Sequence, residues 1–184
     1  MRNNFQKRID GFGLDREDEP SKYSELRWGK YKDKQNIHFF HGTLPIFDRG
    51  INIIKEEYGG EKLLLENIKE RLAREEYPVF VATSNGEDKL NHIMHNRYLS
   101  FCYESLSKIE GSLISFGFTF GDSDLHIIDA VNIAAKQGAK VGNKLFSVYI
   151  GIYSEESQRH VESIKHSFKC MVNLFDAKTI RVWR

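Results

Sequence analysis

The chain has 184 residues, of which 40% are apolar and 29% charged, with a formal net charge of +1. That apolar content excludes a disordered chain, and the near-zero charge leaves no global field to draw the protein to nucleic acid or to an anionic membrane. No stretch approaches the ~18 apolar residues of a membrane span, and the start, MRNNFQKRIDG, lacks the apolar core of a signal peptide. A single cytoplasmic domain over residues 1–184 with no membrane partner is therefore expected. Cys102 and Cys170 lie too far apart in sequence for a zinc ribbon and read as core filler; His38 and His41 point to opposite faces of one strand, and His92 and His95 have no accompanying carboxylate set, so no metal is expected.

In chain order, residues 1–35 are charged and poorly periodic and read as an irregular lead-in, with Trp28 between two charged runs. NIHFFHG is a short β-prone run ended by Gly42, and in LPIFDRGINII the Asp48-Arg49-Gly50 centre predicts a hairpin turn. From Leu63 to Tyr77 the spacing is helical: Leu64 or Leu65, Ile68 and Leu72 face inward, Glu70 and Arg74 pair outside, and Pro78 stops the helix. PVFVAT predicts a buried strand. Asp88 to Gly111 reads as one bent helix or two consecutive ones, with Leu90, Ile93, Tyr98, Cys102, Leu106 and Ile109 inside.

SLISFGF predicts a strand, Asp122 to Gln137 a helix with a wide apolar face, and KLFSVYIGIY another strand. Ser154 caps a further helix that buries Val161, Ile164 and Phe168, and MVNLFDAKTIRVWR reads as a closing strand pair around Asp176-Ala177. Continuously apolar strands separated by amphipathic helices are what a parallel sheet covered on both faces requires. The expected fold is an α/β three-layer sandwich with a mainly parallel sheet: a core over 36–153, then a C-terminal helix and strand pair over 154–184.

In such a sheet ligands sit beyond the carboxyl ends of the strands, where loops and helix N-termini present free N–H groups. Four segments follow predicted strands: His41-Gly42-Thr43, Thr83-Ser84-Asn85-Gly86, Gly117 to Asp122, and Gly151-Ile152-Tyr153-Ser154. Each carries glycine with a hydroxyl or amide, which capping alone explains and a nucleotide site also needs. His41, at a strand end, is the candidate general base. Asp124 and His126 fall in the first turn of the helix after Gly117 and Thr119, where a carboxylate either caps or meets a ribose, and a lone histidine is commonly structural.

Other signatures are missing. Gly117 to Gly121 lacks the Lys-Ser/Thr of a phosphate-binding P-loop, no G-x-S-x-G elbow occurs, and Gly11-Phe12-Gly13 neither follows a strand nor opens a helix. The basic-aromatic run from Arg27 to Lys34 suits a single nucleic acid strand in composition, yet a solvated loop anchored by Trp28 outweighs that reading.

Three stretches, NIHFFHGTLPIFDRG, PVFVATSNGEDKLNHIMHNRYLSFCYESL and GSLISFGFTFGDSDLHIIDAV, carry a resemblance that runs from about Asp10 to Tyr153. The chain resembles an uncharacterised bacterial family of domains of unknown function, itself similar to the sirtuin-like domains of bacterial antiphage systems. The resemblance implies a sirtuin-like sheet with NAD or a related nucleotide at its carboxyl edge. It implies that His41 would deprotonate a ribose hydroxyl as the nicotinamide-ribose bond is cleaved. Gly42, Thr43, Thr83, Ser84, Gly117, Thr119, Asp124 and His126 would then be the cofactor-binding residues.

Longer relatives begin with a strand and a glycine-rich pyrophosphate loop that this sequence does not supply, so NAD hydrolysis is expected only in a complete relative. The expected function is a nucleotide-binding edge of NAD or ADP-ribose type. The alternative is a non-catalytic interaction module, or a truncated product, whose exposed sheet edge pairs with a partner chain or a second copy.

Overall fold

A computed structural model describes residues 8–13, 25–56, 62–82, 86–137 and 144–180. The chain divides into two compact units, one of residues 1–82 with Asn96–Leu99, the other of 83–95 with 100–184. No described helix is long and apolar enough to cross a membrane.

The first unit is built on a five-stranded antiparallel sheet of order β1-β2-β4-β3-β5: β1 (Phe12–Gly13), β2 (Glu25–Trp28), β3 (Gly42–Asp48), β4 (Ile53–Glu56) and β5 (Pro78–Phe80). This corrects the expectation of a mainly parallel sheet. A turn as short as Asp48–Gly50 permits only an antiparallel return, since parallel neighbours need a long crossover. The hairpin itself is as read: the Asp48 carboxylate accepts the Gly50 N–H at 2.8 Å, and Gly50 takes φ +75°. The lead-in is also corrected. It supplies β1 and β2, whose two and four residues are too short for periodicity to reveal.

Tyr98 is wholly buried in this unit, with Phe12 at 5.4 Å and Trp28 edge-on at 5.5 Å between ring centroids, while the Trp28 indole N–H donates to Gln35 at 3.0 Å. Trp28 thus anchors its loop. Helix α1 (Leu64–Ala73) buries Ile68 against Phe47 and Ile54, but Leu65 and Leu72 are exposed at 63% and 42%. The side chain that goes inside is Arg71, which bonds Glu56 and Glu76 and lies over the Phe47 ring. Glu70 pairs with Lys62 at 2.5 Å, and the expected Arg74 adds a weaker charge attraction.

The second unit holds a three-stranded parallel sheet, β6 (Gly111–Ser115), β7 (Leu145–Ile152) and β8 (Met171–Asp176), in that order. Helical crossovers connect the strands, as parallel pairing requires: α4 (Leu125–Gln137) and α5 (Glu155–Ile164). Asp88 to Gly111 resolves into two helices, α2 (Gly86–His95) and α3 (Arg97–Leu106).

Both α4 and α5 pack on β7, and the paired row Leu113, Val148 and Val172 continues as Ser115, Ile150 and Leu174. In that pair of rows Val148 and Ile150 are fully buried. The opposite parity is mixed: Ile114 is 66% exposed, Tyr149 40% and Met171 66%, while Leu145 and Ser147 are buried. The closing segment is corrected too. β8 lies parallel to β7, and Ala177–Thr179 is a 3-10 turn in place of the second strand of a pair.

Candidate functional site

In the first unit, His41 does not end a strand. It precedes β3, its carbonyl accepts the Val81 N–H at 2.9 Å, and its side chain is half-buried. Gly42 opens β3 with φ +78°, and a Cβ there would lie 1.8 Å from the Val79 carbonyl oxygen. The glycine that was read as a strand stop is therefore a point of close approach between β3 and the chain of β5. Thr43 follows it within β3. Thr83 and Ser84 lie outside the described residues.

In the second unit the segment after β6 has the geometry that its composition foretold in part. Gly117 takes φ +72° and turns the chain, while the Ser115 hydroxyl donates to the Phe118 carbonyl at 2.6 Å. Phe120 also takes a left-handed φ of +56°, which is uncommon for a bulky residue and persists only where packing over-determines it. Its ring is 2% exposed, held edge-on by Phe118 at 4.8 Å and Phe168 at 5.2 Å. The His160 imidazole lies 3.1 Å from its carbonyl.

Asp122–Asp124 form a 3-10 turn that leads into α4. Asp124 does not face a ligand as an unengaged carboxylate: Lys89 of α2 bonds it at 2.8 Å and reaches the Ser123 hydroxyl at 3.1 Å, with both charged side chains less than a fifth exposed. His126 is 2% exposed within α4. Asp124 thus ties the turn before α4 to α2, and His126 lies buried in the first turn of α4.

Ser154 caps α5 as expected. Its hydroxyl accepts the Ser157 N–H at 3.2 Å, and the Ser157 hydroxyl returns to the Ser154 backbone, accepting its N–H at 3.0 Å and donating to its carbonyl at 2.7 Å. Between this cap and the β6–α4 segment lies an open cleft of about 440 Å³, lined by Thr119, Gly121, Asp122, Ser154, Glu156, Ser157 and His160. A second hollow of about 350 Å³ follows the ends of β7 and β8, where the Lys178 ammonium sits 5.2 Å from the centre of the exposed Tyr153 ring.

Of the predicted binding residues, Thr119 lines the first cleft, and the loop from Gly117 carries it there. Glu156, Ser157 and His160 were not predicted. They sit on α5 beyond its cap, and only the inference that Ser154 starts a helix at the carboxyl edge pointed toward them.

The profile of one family, described as Domain of unknown function (DUF4917), matches residues 3–183. No curated protein and no solved structure matches the chain.

Proposed function

The chain belongs to the DUF4917 family of domains of unknown function, and on that footing we propose that it binds a nucleotide of NAD or ADP-ribose type at the carboxyl edge of its parallel sheet. The observation that carries the reading is the 440 Å³ cleft between the segment after β6 and the α5 cap, where hydroxyls, carboxylates and an imidazole converge. Ligands of parallel α/β sheets collect at that edge because helix N-termini and turning loops place polar groups there. A sirtuin-like character belongs to the same proposal, and it concerns the parallel unit, since the five-stranded sheet is antiparallel.

Isothermal titration tests the reading. ADP-ribose and NAD should each give heat at up to about millimolar affinity, a range in which about 4 kcal/mol of binding suffices. Replacing Thr119 by Trp, which fills the cleft, should abolish it. Silence from both ligands with the wild-type protein overturns the proposal.

A second reading draws on the exposed side chains of Ile114, Tyr149 and Met171 on the parallel sheet: a non-catalytic interaction module. It expects a concentration-dependent rise in scattering mass that Ile114→Lys removes. A mass that stays monomeric at all concentrations speaks against self-association through that face.

A further inference from the structure

Every sheet edge leaves a row of backbone N–H and C=O groups unpaired, and proteins blunt such edges with shortness, proline, bulges or lysine. Among the described residues three of the four edges are blunted. β1 has two residues; β5 has three, opens on Pro78 and shifts register against β3; β6 begins with a register shift between Gly111 and Ser112. The fourth edge, β8, is not. It runs for six residues in unbroken parallel register with β7, and its sequence, MVNLFD, holds neither proline nor lysine. No described strand lies beyond it.

We propose that β8 pairs antiparallel with β8 of a second copy, about a two-fold axis that passes through Asn173, and so joins two parallel sheets edge to edge. The contact uses the edge of the sheet, where the readings above use its cleft and its exposed face. Register follows from the backbone. Alternate residues of β8 turn their N–H and C=O groups toward β7, so those facing outward share one parity, and two identical antiparallel strands must then meet about a residue and never between two. Asn173 and Leu174 are the middle residues.

About Asn173, the carboxamide meets its own copy, and each supplies both donor and acceptor. Met171, 66% exposed, falls opposite Phe175 of the second copy, and Val172 opposite Leu174, apolar against apolar on both faces. The exposed Asp176 falls opposite Cys170, beside the exposed Lys169, so opposite charges adjoin at both ends of the pairing. Lys178, near the same end, is turned to the Tyr153 ring at 5.2 Å. Pairing about Leu174 would instead set Asp176 against the buried Val172. A second copy is thus the occupant that the strand's own sequence complements.

Sedimentation velocity tests the pairing over about micromolar to millimolar protein, the range expected of an interface at the small end of the size scale. The wild type should pass from one chain toward two. Asn173→Lys, which sets two ammonium groups together at the axis, and Met171→Lys, at an exposed site that spares the packing, should each raise the midpoint concentration at least about tenfold. Asn173→Thr, neutral and at home in strands, should leave it nearly unchanged. Urea midpoints of the variants separate a lost interface from a lost fold. Hydrogen exchange gives a second readout: outward amides of β8 should slow at the higher concentration in the wild type and not in Asn173→Lys. A wild type that stays a single chain throughout, or a dimer that neither lysine variant weakens, overturns the pairing. Association lost with Ile114→Lys and kept with Asn173→Lys overturns it as well and places the contact on the face of the sheet. Neither result touches the nucleotide reading, which titration with ADP-ribose tests separately.

Discussion

Gly42 shows what a single residue decides. Its φ of +78° and the 1.8 Å that would separate an added Cβ from the Val79 carbonyl leave no room for a side chain, because the obstacle is backbone and cannot rotate away. Gly42→Ala should destabilise the protein by about 3 kcal/mol or more, the upper part of the range for single substitutions, read as a fall in the urea midpoint. His38 decides a pH dependence. Burial holds its imidazole below the ordinary value of 6.5, a hydrogen bond with the Gln35 backbone partly offsetting it.

The unfolded chain therefore takes up a proton before the folded one does. This contribution to stability is whole above 6.5 and is lost as the pH falls toward the lowered folded value. Urea midpoints compared at about pH 8 and about pH 5 should fall more for the wild type than for His38→Gln. Equal falls would contradict that assignment.

At the scale of elements, sequence legibility follows length and burial. The helices from Gly86 to Leu106, the α4 helix and the capped α5 helix were visible because each keeps one apolar face over ten residues or more and starts or stops on a recognisable residue. Helix α1 was placed correctly and its faces were not. Periodicity put Leu72 inside, whereas Arg71 lies there, 5% exposed, because Glu56 from β4 and Glu76 satisfy its guanidinium and Phe47 covers its plane. A residue-type pattern has no means of anticipating a partner fifteen positions away.

Arg71→Met should cost about 3–5 kcal/mol, since it removes the cation bonded to the buried Glu56 carboxylate, whereas Leu72→Ala should be nearly neutral. The reverse order of the two thermal midpoints would contradict the packing described. Ser154→Ala removes the α5 cap and should cost about 1 kcal/mol.

For the whole molecule, strand direction was the least legible property. Short apolar runs look alike whether they lie in a parallel or an antiparallel sheet, and what separates them is the connection: a tight turn after β3, full helices after β6 and β7. Parallel pairing was right for the second unit, where the Gly117–Asp122 segment and Ser154 meet at the carboxyl edge, and wrong for the first, where His41 precedes its strand. The wall of the cleft formed by the Gly117–Asp122 segment thus followed from connectivity that the residues did carry. The remainder, on α5, became visible only when the cap was seen to close one wall of a cleft.

The central claim is that this cleft takes a nucleotide, and amide chemical shifts of the isotopically labelled chain test it most directly when ADP-ribose is added. The account predicts saturable shifts centred on Thr119, Gly121, Ser154, Ser157 and His160, the residues that line the cleft. Shifts absent at millimolar ligand, or confined to amides away from that lining, would contradict it.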